Sequence, residues 1–234
     1  MQKKAPKIDP SLVADFPLFK DMKKEDIGDI LEKGVAKHYK KGDRFFDQFD
    51  EATHFFLMLD GYLEVSKTTE EGSQVIMRHF GVGELFGVAP AIAQKNYPAT
   101  SRALVDCVAI LWENKFWDLF LVEHPQFIKN AYSAIGQRLA QSQERIVEMS
   151  TEQVERRVAH AVMRLTHQCG VKTETGILID FPVSRQDIAE MTGTTLHTVS
   201  RLFSAWSTKG LMQVGRQKIE VLEAHKLALL AQGH

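Results

Sequence analysis

Residues 184–206 read SRQDIAEMTGTTLHTVSRLFSAW, and this stretch decides the architecture. Ser184 is a natural helix N-cap, and Asp187, three positions on, stands where a capping box places its acid. Ile188, Ala189 and Met191 give a first short helix its inward side. Thr192-Gly193-Thr194 then breaks the pattern, with glycine where a sharp turn is needed. A second helix is predicted from about Thr195, with Val199, Leu202, Phe203 and Trp206 recurring at helical spacing on a buried side. His197, Ser200, Arg201 and Ser204 share the opposite face. That face is polar and carries one guanidinium. Arginine can pair N7 and O6 of guanine, while serine and histidine reach neighbouring base edges or phosphates. Two helices so arranged form a helix-turn-helix whose second helix is the reader. The same spacing also suits an ordinary helical hairpin with a solvated face, so the flanks must decide.

The flanks favour the reader. Residues 176–181 (GILIDF) read as a strand, and Pro182 separates them from the helices. Downstream, Lys209-Gly210, the run 211–214, Gly215-Arg216 and the run 218–222 predict a β-hairpin wing, basic near its tip, for backbone phosphate. The residues expected at a duplex are Ser184, Arg185, Thr195, His197, Thr198, Ser200, Arg201, Ser204, Arg216 and Lys218. Charge agrees with this placement. Residues 184–219 hold 5 Lys+Arg against 2 Asp+Glu, although the whole chain carries a formal net charge of −1.

Upstream of the reader, Ile128, Tyr132, Ile135, Leu139, Ser142, Ile146 and Met149 alternate spacings of four and three. This is the a/d seam of a coiled coil, flanked by polar positions such as Lys129, Gln137, Arg138, Gln141, Gln143, Glu144 and Arg145. So narrow a stripe wants a partner helix, and the simplest partner is its copy in a second subunit; the competing reading is an intramolecular core helix. A two-fold dimer sets two readers about one DNA turn apart, matching a near-palindromic site. Ser150-Thr151, with Gln153 in the capping-box position, predicts the end of this helix and a hinge. A further helix is expected over 153–168, packing through Val154, Val158, Ala161, Val162 and Leu165.

The N-terminal half has another texture. After a loose start and short helices over 1–34, short strands are predicted at 35–39, 44–46, 54–59, 62–67, 74–80 and 107–112. Asp60-Gly61 reads as a hairpin turn, and Glu71-Gly72 as a second. Strands this short suggest a small antiparallel barrel or roll, able to enclose one ligand or to be filled by its own side chains. Phe45, Phe46, Phe49, Phe55, Phe56, Phe80 and Phe86 are assigned to core rather than to a pocket. The chain is thus read as α+β, with domains at 1–124 (β-roll sensor), 125–150 (dimerisation helix and hinge) and 151–234 (winged helix-turn-helix).

Other classes are disfavoured. No apolar run approaches the roughly 18 residues of a membrane span, and MQKKAPKIDP lacks the apolar core of a signal peptide, so the cytoplasm is the expected compartment. With only Cys107 and Cys169, neither a disulfide framework nor a four-thiolate cluster is available. There is no phosphate loop, nucleophile motif or metal-spaced His/Glu pair, so an enzyme is not expected.

The order β-roll, long helix, winged helix resembles the CRP/FNR family of bacterial transcription regulators over roughly residues 15–225, a fold whose sensor is a cyclic-nucleotide-binding-like β-roll. The reader SRQDIAEMTGTTLHTVSRL (184–202) carries the resemblance, with Gly42-Asp43, Gly61 and Gly83-Glu84-Leu85 matching turns of the family's sensor roll. The resemblance implies that positions 197, 200 and 201 face bases, with Arg201 reading guanine. His197 stands where oxygen-responsive members carry Glu, so the half-site should differ at one base pair. It also implies homodimers, RNA polymerase as a partner, and an effector pocket involving Gly83, Glu84, Leu85, Tyr97 and Arg102.

Two departures bear on the signal. Where cyclic-nucleotide-binding members grip the phosphate with Arg-Ser, this chain has Tyr97-Pro98, which argues against cyclic AMP. The thiolates of the iron–sulfur branch are missing. The reader most resembles the nitrite and nitric oxide reductase regulators. That branch implies a nitric oxide response and raises haem as a cofactor, with His38, His54, His79 or His124 as axial ligand, though no spacing motif selects one. A constitutive DNA-binding dimer with a ligand-free roll, or a cyclic-nucleotide-responsive regulator, is the alternative.

Overall fold

A computed structural model describes residues 8–72 and 74–233 and divides the chain into two compact units. One comprises the chain up to Lys67 with Arg78–Ala140; the other comprises Thr68–Met77 with Gln141 onward.

The first unit begins with two 3-10 turns and α1 (Lys24–Glu32), whose Glu25 and Asp26 sit in the first turn, where acids suit the helix dipole. Eight strands follow among the described residues: β1 (Val35–Tyr39), β2 (Arg44–Phe46), β3 (His54–Asp60), β4 (Leu63–Thr68), β5 (Gln74–Phe80, whose residues up to Met77 count with the second unit), β6 (Leu85–Phe86), β7 (Thr100–Ala103) and β8 (Cys107–Glu113). Then come α2 (Lys115–Glu123) and α3 (Pro125–Thr151). The strands form two antiparallel four-stranded sheets, ordered β1-β8-β3-β6 and β2-β7-β4-β5. This is the expected roll.

The continuous apolar run of β3 follows from its central place. Phe55 and Leu57 point to one face, where they join Ile110, Trp112, α1, α2 and the first turns of α3 in one core. Phe56 and Met58 point to the other, into a second core with Phe46, Phe86, Tyr97 and Ala109 between the sheets. With both faces buried, the period of two leaves no polar position. Trp112 is fully buried and donates its indole N–H to the Ile30 carbonyl at 2.8 Å, tying α1 to the sheet.

Asp60-Gly61 does not close a hairpin, contrary to the sequence expectation. β3 and β4 belong to different sheets, so the turn is the corner at which the chain crosses from one to the other. Gly61 is required there twice over. Its φ is 91°, and a Cβ would stand 2.6 Å from the Asp106 carbonyl oxygen and 2.7 Å from Cys107 Sγ. Gly61→Ala is therefore expected to lose at least about 1–2 kcal/mol from the left-handed backbone alone, with the clash adding to it. Urea unfolding of the two proteins checks this, and equal midpoints would contradict it. Glu71-Gly72 does join two neighbouring strands, β4 and β5.

Phe49 is a second correction: it is 75 % exposed, with φ at 75°, and is not core. Phe55 and Phe56 are buried as expected. A third concerns the end of α3. The helix continues through Ser150 to Thr151, and both hydroxyls bond back to the carbonyls of Ile146 and Val147 at 2.8 Å instead of capping a new helix. The break falls at Gln153, the N-cap of α4 (Val154–Cys169).

The second unit continues with β9 (Gly170–Lys172), β10 (Ile177–Ile179), α5 (Arg185–Thr192), α6 (Leu196–Thr208), β11 (Met212–Gly215), β12 (Lys218–Val221) and α7 (Ala224–Gln232). Its antiparallel sheet runs β11-β12-β10-β9. Val158, Val162 and Leu165 of α4, Ile188 of α5, and Val199, Phe203 and Trp206 of α6 are fully buried. The Trp206 indole donates to Glu155 Oε1 at 3.1 Å. Among the described residues no helix is long and apolar enough to cross a membrane.

Candidate nucleic-acid interface and effector cavity

The reader is built from its caps outward. Ser184 Oγ accepts from the Asp187 amide at 3.1 Å, while Asp187 Oδ2 accepts from the Ser184 amide at 2.7 Å, a complete capping box. Gly193 ends α5 in the left-handed region at φ 58°. Thr195 then caps α6 by accepting from the Thr198 amide at 3.2 Å. The first helix is thereby stopped and the second started within three residues.

Of the residues expected at a duplex, His197, Arg201 and Ser204 are exposed and Ser200 is partly so, on the side of α6 opposite the buried Val199, Phe203 and Trp206. Ser184, Thr195 and Thr198 are also at the surface, but their hydroxyls already serve the caps, and Ser204 Oγ donates to the Ser200 carbonyl at 2.9 Å. Arg185 is exposed at the first position of α5. β11 and β12 form the wing, with Gly215 opposite Lys218 and the exposed Arg216 and Gln217 at its tip. The unit therefore presents an exposed guanidinium on the helix and two exposed cations on the wing.

The second unit also fastens the reader to α3. Arg145 donates to the carbonyls of Met77 at 2.7 Å and Ile76 at 3.2 Å, and to that of Met191 near the end of α5. Burial lowers the pKa of its guanidinium, the neighbouring Arg164 adds to this, and Glu148 opposes it. Glu148 in turn receives both of its oxygens' bonds from Arg164 of α4, at 2.9 and 2.6 Å. The sequence offered nothing to single out Arg145 among the polar positions of the helix.

In the first unit a pocket of about 150 Å³, half open to solvent, is lined by Phe46, Val65, Phe80, Phe86, Ile92, Tyr97, Pro98 and Ala99 with their neighbours. Three phenylalanines assigned to core thus also line a space. Of the five expected pocket residues, Tyr97 lies in the wall; Gly83, Glu84, Leu85 and Arg102 do not. The Tyr97 ring stacks on Phe46 at 3.9 Å, but its hydroxyl is spent on His54, donating to the carbonyl at 2.7 Å and accepting from the amide at 3.1 Å.

The charged member of the wall is Arg138 of α3, which the sequence presented only as a polar flank of the seam. Its guanidinium lies 4.8 Å from the Phe80 ring centroid. Glu84 Oε1 is 3.9 Å from Arg138 and 3.1 Å from Arg78, and Glu84 Oε2 accepts from the Gly81 amide at 2.9 Å. Burial brings the Arg138 pKa down to about 10 against the opposing pull of Glu84.

The histidines considered for haem lie apart, on β1, β3, β5 and the end of α2, and none is in the cavity wall. His54 Nδ1 is paired with Thr53 Oγ1 at 2.8 Å. Among the described residues no group of three or more His, Cys, Asp or Glu could hold a metal ion. With no histidine in its wall, the pocket offers haem no axial ligand.

On the seam, Ile128 is consumed by the first unit's own core, and Tyr132 sets its ring edge-on to Trp117 at 6.2 Å. Ile135 is partly exposed and Ser142 exposed, while Leu139, Ile146 and Met149 are 60, 65 and 39 % exposed.

A model of the cyclic nucleotide-binding domain matches residues 36–123, and one of the Crp-like helix-turn-helix domain matches residues 156–230. The chain is similar to the cyclic AMP receptor protein of Thermus thermophilus, 25 % identical over 217 residues, covering 93 % of this chain and 97 % of that protein. It is also similar to the transcriptional activator protein FnrA of Stutzerimonas stutzeri, 24 % identical over 219 residues, covering 93 % and 88 %. The solved structure of FixK2 from Bradyrhizobium japonicum superposes with a TM-score of 0.74 at 19 % identity, covering 84 % of this chain and 96 % of that one.

Proposed function

The chain belongs to the CRP/FNR family of transcription regulators, and we propose that it works as a homodimer that reads a near-palindromic DNA site under control of its β-roll. It is not an enzyme. One observation carries the reading: α6 is anchored by three fully buried side chains while His197, Ser200, Arg201 and Ser204 face outward beside a basic wing. A merely solvated helical hairpin needs neither the wing nor the exposed guanidinium.

Dimer formation is supported by the exposed apolar side chains Leu139 and Ile146 on α3, and is typical of the family. Control is assigned to the same helix. It carries Arg138 at the wall of the first unit's cavity and Arg145 on the Met191 carbonyl of the reader's first helix. A ligand that favours one setting of α3 shifts an equilibrium between reader spacings, by no more than its difference in affinity for the two. The nitric oxide response of the branch that the reader resembles would call for a metal or haem, and the scattered histidines lend it no support; a small organic effector suits the cavity better. RNA polymerase is the further partner this reading implies, and the cytoplasm its setting.

The test is selection of duplexes from a random pool by the full-length protein, followed by footprinting. A two-fold symmetric motif with half-sites about one helical turn apart is expected. No enrichment at low salt, or an asymmetric single site, would overturn the proposal.

A further inference from the structure

Resting on α6 as the reader, we propose that Glu155 is a positioning residue for it: by accepting the indole N–H of Trp206, it fixes how α6 is turned about its own axis and so where Arg201 points. The inner face of α6 is made by Val199, Phe203 and Trp206, all fully buried. Val199 and Phe203 are wholly apolar. Burial of apolar surface sets how deeply a helix sits, but it is non-directional. Trp206 brings a polar atom to this face, and a buried N–H left without an acceptor is costly. The acceptor is Glu155 Oε1 at 3.1 Å, in the first turn of α4. Glu155 lies at the surface, so its carboxylate keeps contact with water while one oxygen reaches inward. A bond to a charged acceptor is about twice as strong as a neutral one, and it weakens steeply when misaligned.

Two further attachments hold the reader pair at its other end. Arg157, two residues on from Glu155, donates through Nε to the Thr192 carbonyl at 3.2 Å and through Nη1 to the Glu152 carbonyl at 3.1 Å. Arg145 takes the neighbouring Met191 carbonyl. Both guanidiniums thus grip the last turn of α5, where helix carbonyls lack partners of their own. Trp206 lies eleven residues beyond the Thr195 cap, about 16 Å along α6 at about 1.5 Å per residue, with Arg201 between them. The Glu155 bond therefore ties the far end of the reading helix, and it comes from the same turn of α4 that holds α5. A rotation of about 10° at a radius of about 6 Å moves a side chain by about 1 Å, whereas a recognition geometry must be held within about 0.5 Å. Fixing the rotation is what turns an exposed arginine into a reader of one base pair.

The test measures the full-length protein by fluorescence anisotropy on the selected duplex, on its single-base changes and on a scrambled duplex. Glu155→Ala and Glu155→Gln each remove one negative charge, so affinity for the scrambled duplex should change alike in both. Only Glu155→Ala also removes the acceptor. It should lower the ratio of selected-site to scrambled affinity by about fivefold or more, with preference weakened at the base pair that Arg201 reads. Glu155→Gln should keep that ratio within about twofold of the unmodified protein. Trp206→Phe, which keeps an aromatic ring and loses the donor, should lower the ratio as Glu155→Ala does, and combining the two should cost no more than either alone. Urea unfolding of each variant follows the fold. A lowered unfolding midpoint with the ratio intact in Glu155→Ala would overturn the proposal, because a brace with no part in reading behaves in that way. An equal loss in Glu155→Gln, or additive losses in the double variant, would overturn it too. If the unmodified protein selects no duplex, the reader assignment falls and this role with it; if it selects a site and Glu155→Ala prefers that site equally well, the role alone is removed.

Discussion

Replacing Leu139 and Ile146 together by glutamate is expected to yield a monomer at micromolar concentration and to weaken binding to a palindromic duplex by about 100-fold or more. The two side chains are 60 and 65 % exposed, seven residues apart on one helix, so they project from the same line of its surface. Burying a Leu or Ile against a partner is worth about 1.5–3 kcal/mol, and a two-fold interface counts each substitution twice. Glutamates facing their own copies add like-charge repulsion. The duplex affinity falls because one tethered reader no longer raises the effective concentration of the other, a gain of about 10²–10⁴ where geometry allows both to engage. Sedimentation velocity and fluorescence anisotropy read the two effects. Gln143→Glu, on an exposed position off the seam, should change neither. A double variant that stays dimeric would place the interface elsewhere and leave the stripe without a role.

That expectation draws on a seam legible in the sequence, and the structure shows where such legibility ends. Spacing identified Ile128 and Tyr132 as seam residues, yet Ile128 is buried among Phe127, Trp117 and α1. Periodicity reports that a face is apolar; it does not say whether the neighbour is intramolecular. The reader was legible almost to the residue because several local signals coincide there: a capping box, a left-handed glycine and a clean period. α2, KFWDLFLVE, was missed for the opposite reason. It is apolar nearly all round, burying Trp117 and Phe120 while leaving Leu121 and Val122 exposed, so no stripe stands out. β7 (TSRA) and β9 (GVK) are strands by virtue of their partners β4 and β10, and nothing in their own composition announces them. Asp60-Gly61 carries the local signal of a turn, and a turn is there; that it joins two sheets instead of two paired strands is a tertiary fact. The cavity was invisible for the same reason. Its walls come from strands far apart in sequence, and its charge comes from a helix whose polar residues all looked alike.

Arg201→Ala is expected to lower affinity for the selected site by about 1–3 kcal/mol, roughly 5- to 150-fold, and to erase preference at one base pair of each half-site. The argument rests on two unequal kinds of contact. Arg201 is exposed on the face of α6 opposite Val199, Phe203 and Trp206, so the helix that carries it is held rigid from behind. An arginine so placed can donate two bonds to N7 and O6 of one guanine, a pattern no other base pair presents at that position in the major groove. Losing it should therefore affect the cognate site and leave weak, non-specific binding nearly unchanged. Lys218, exposed at the base of the wing turn, has a different geometry. A lone ammonium there meets phosphate, which every sequence offers. Lys218→Ala should weaken all duplexes alike and reduce the slope of log affinity against log salt by about one. Measuring both variants on the selected site and on each of its single-base changes, at several salt concentrations, separates the two roles. If Arg201→Ala lowered affinity for every sequence by the same factor while Lys218→Ala altered the base preference, the assignments would be exchanged. The wing would then be the part that reads the site, with the helix holding the backbone.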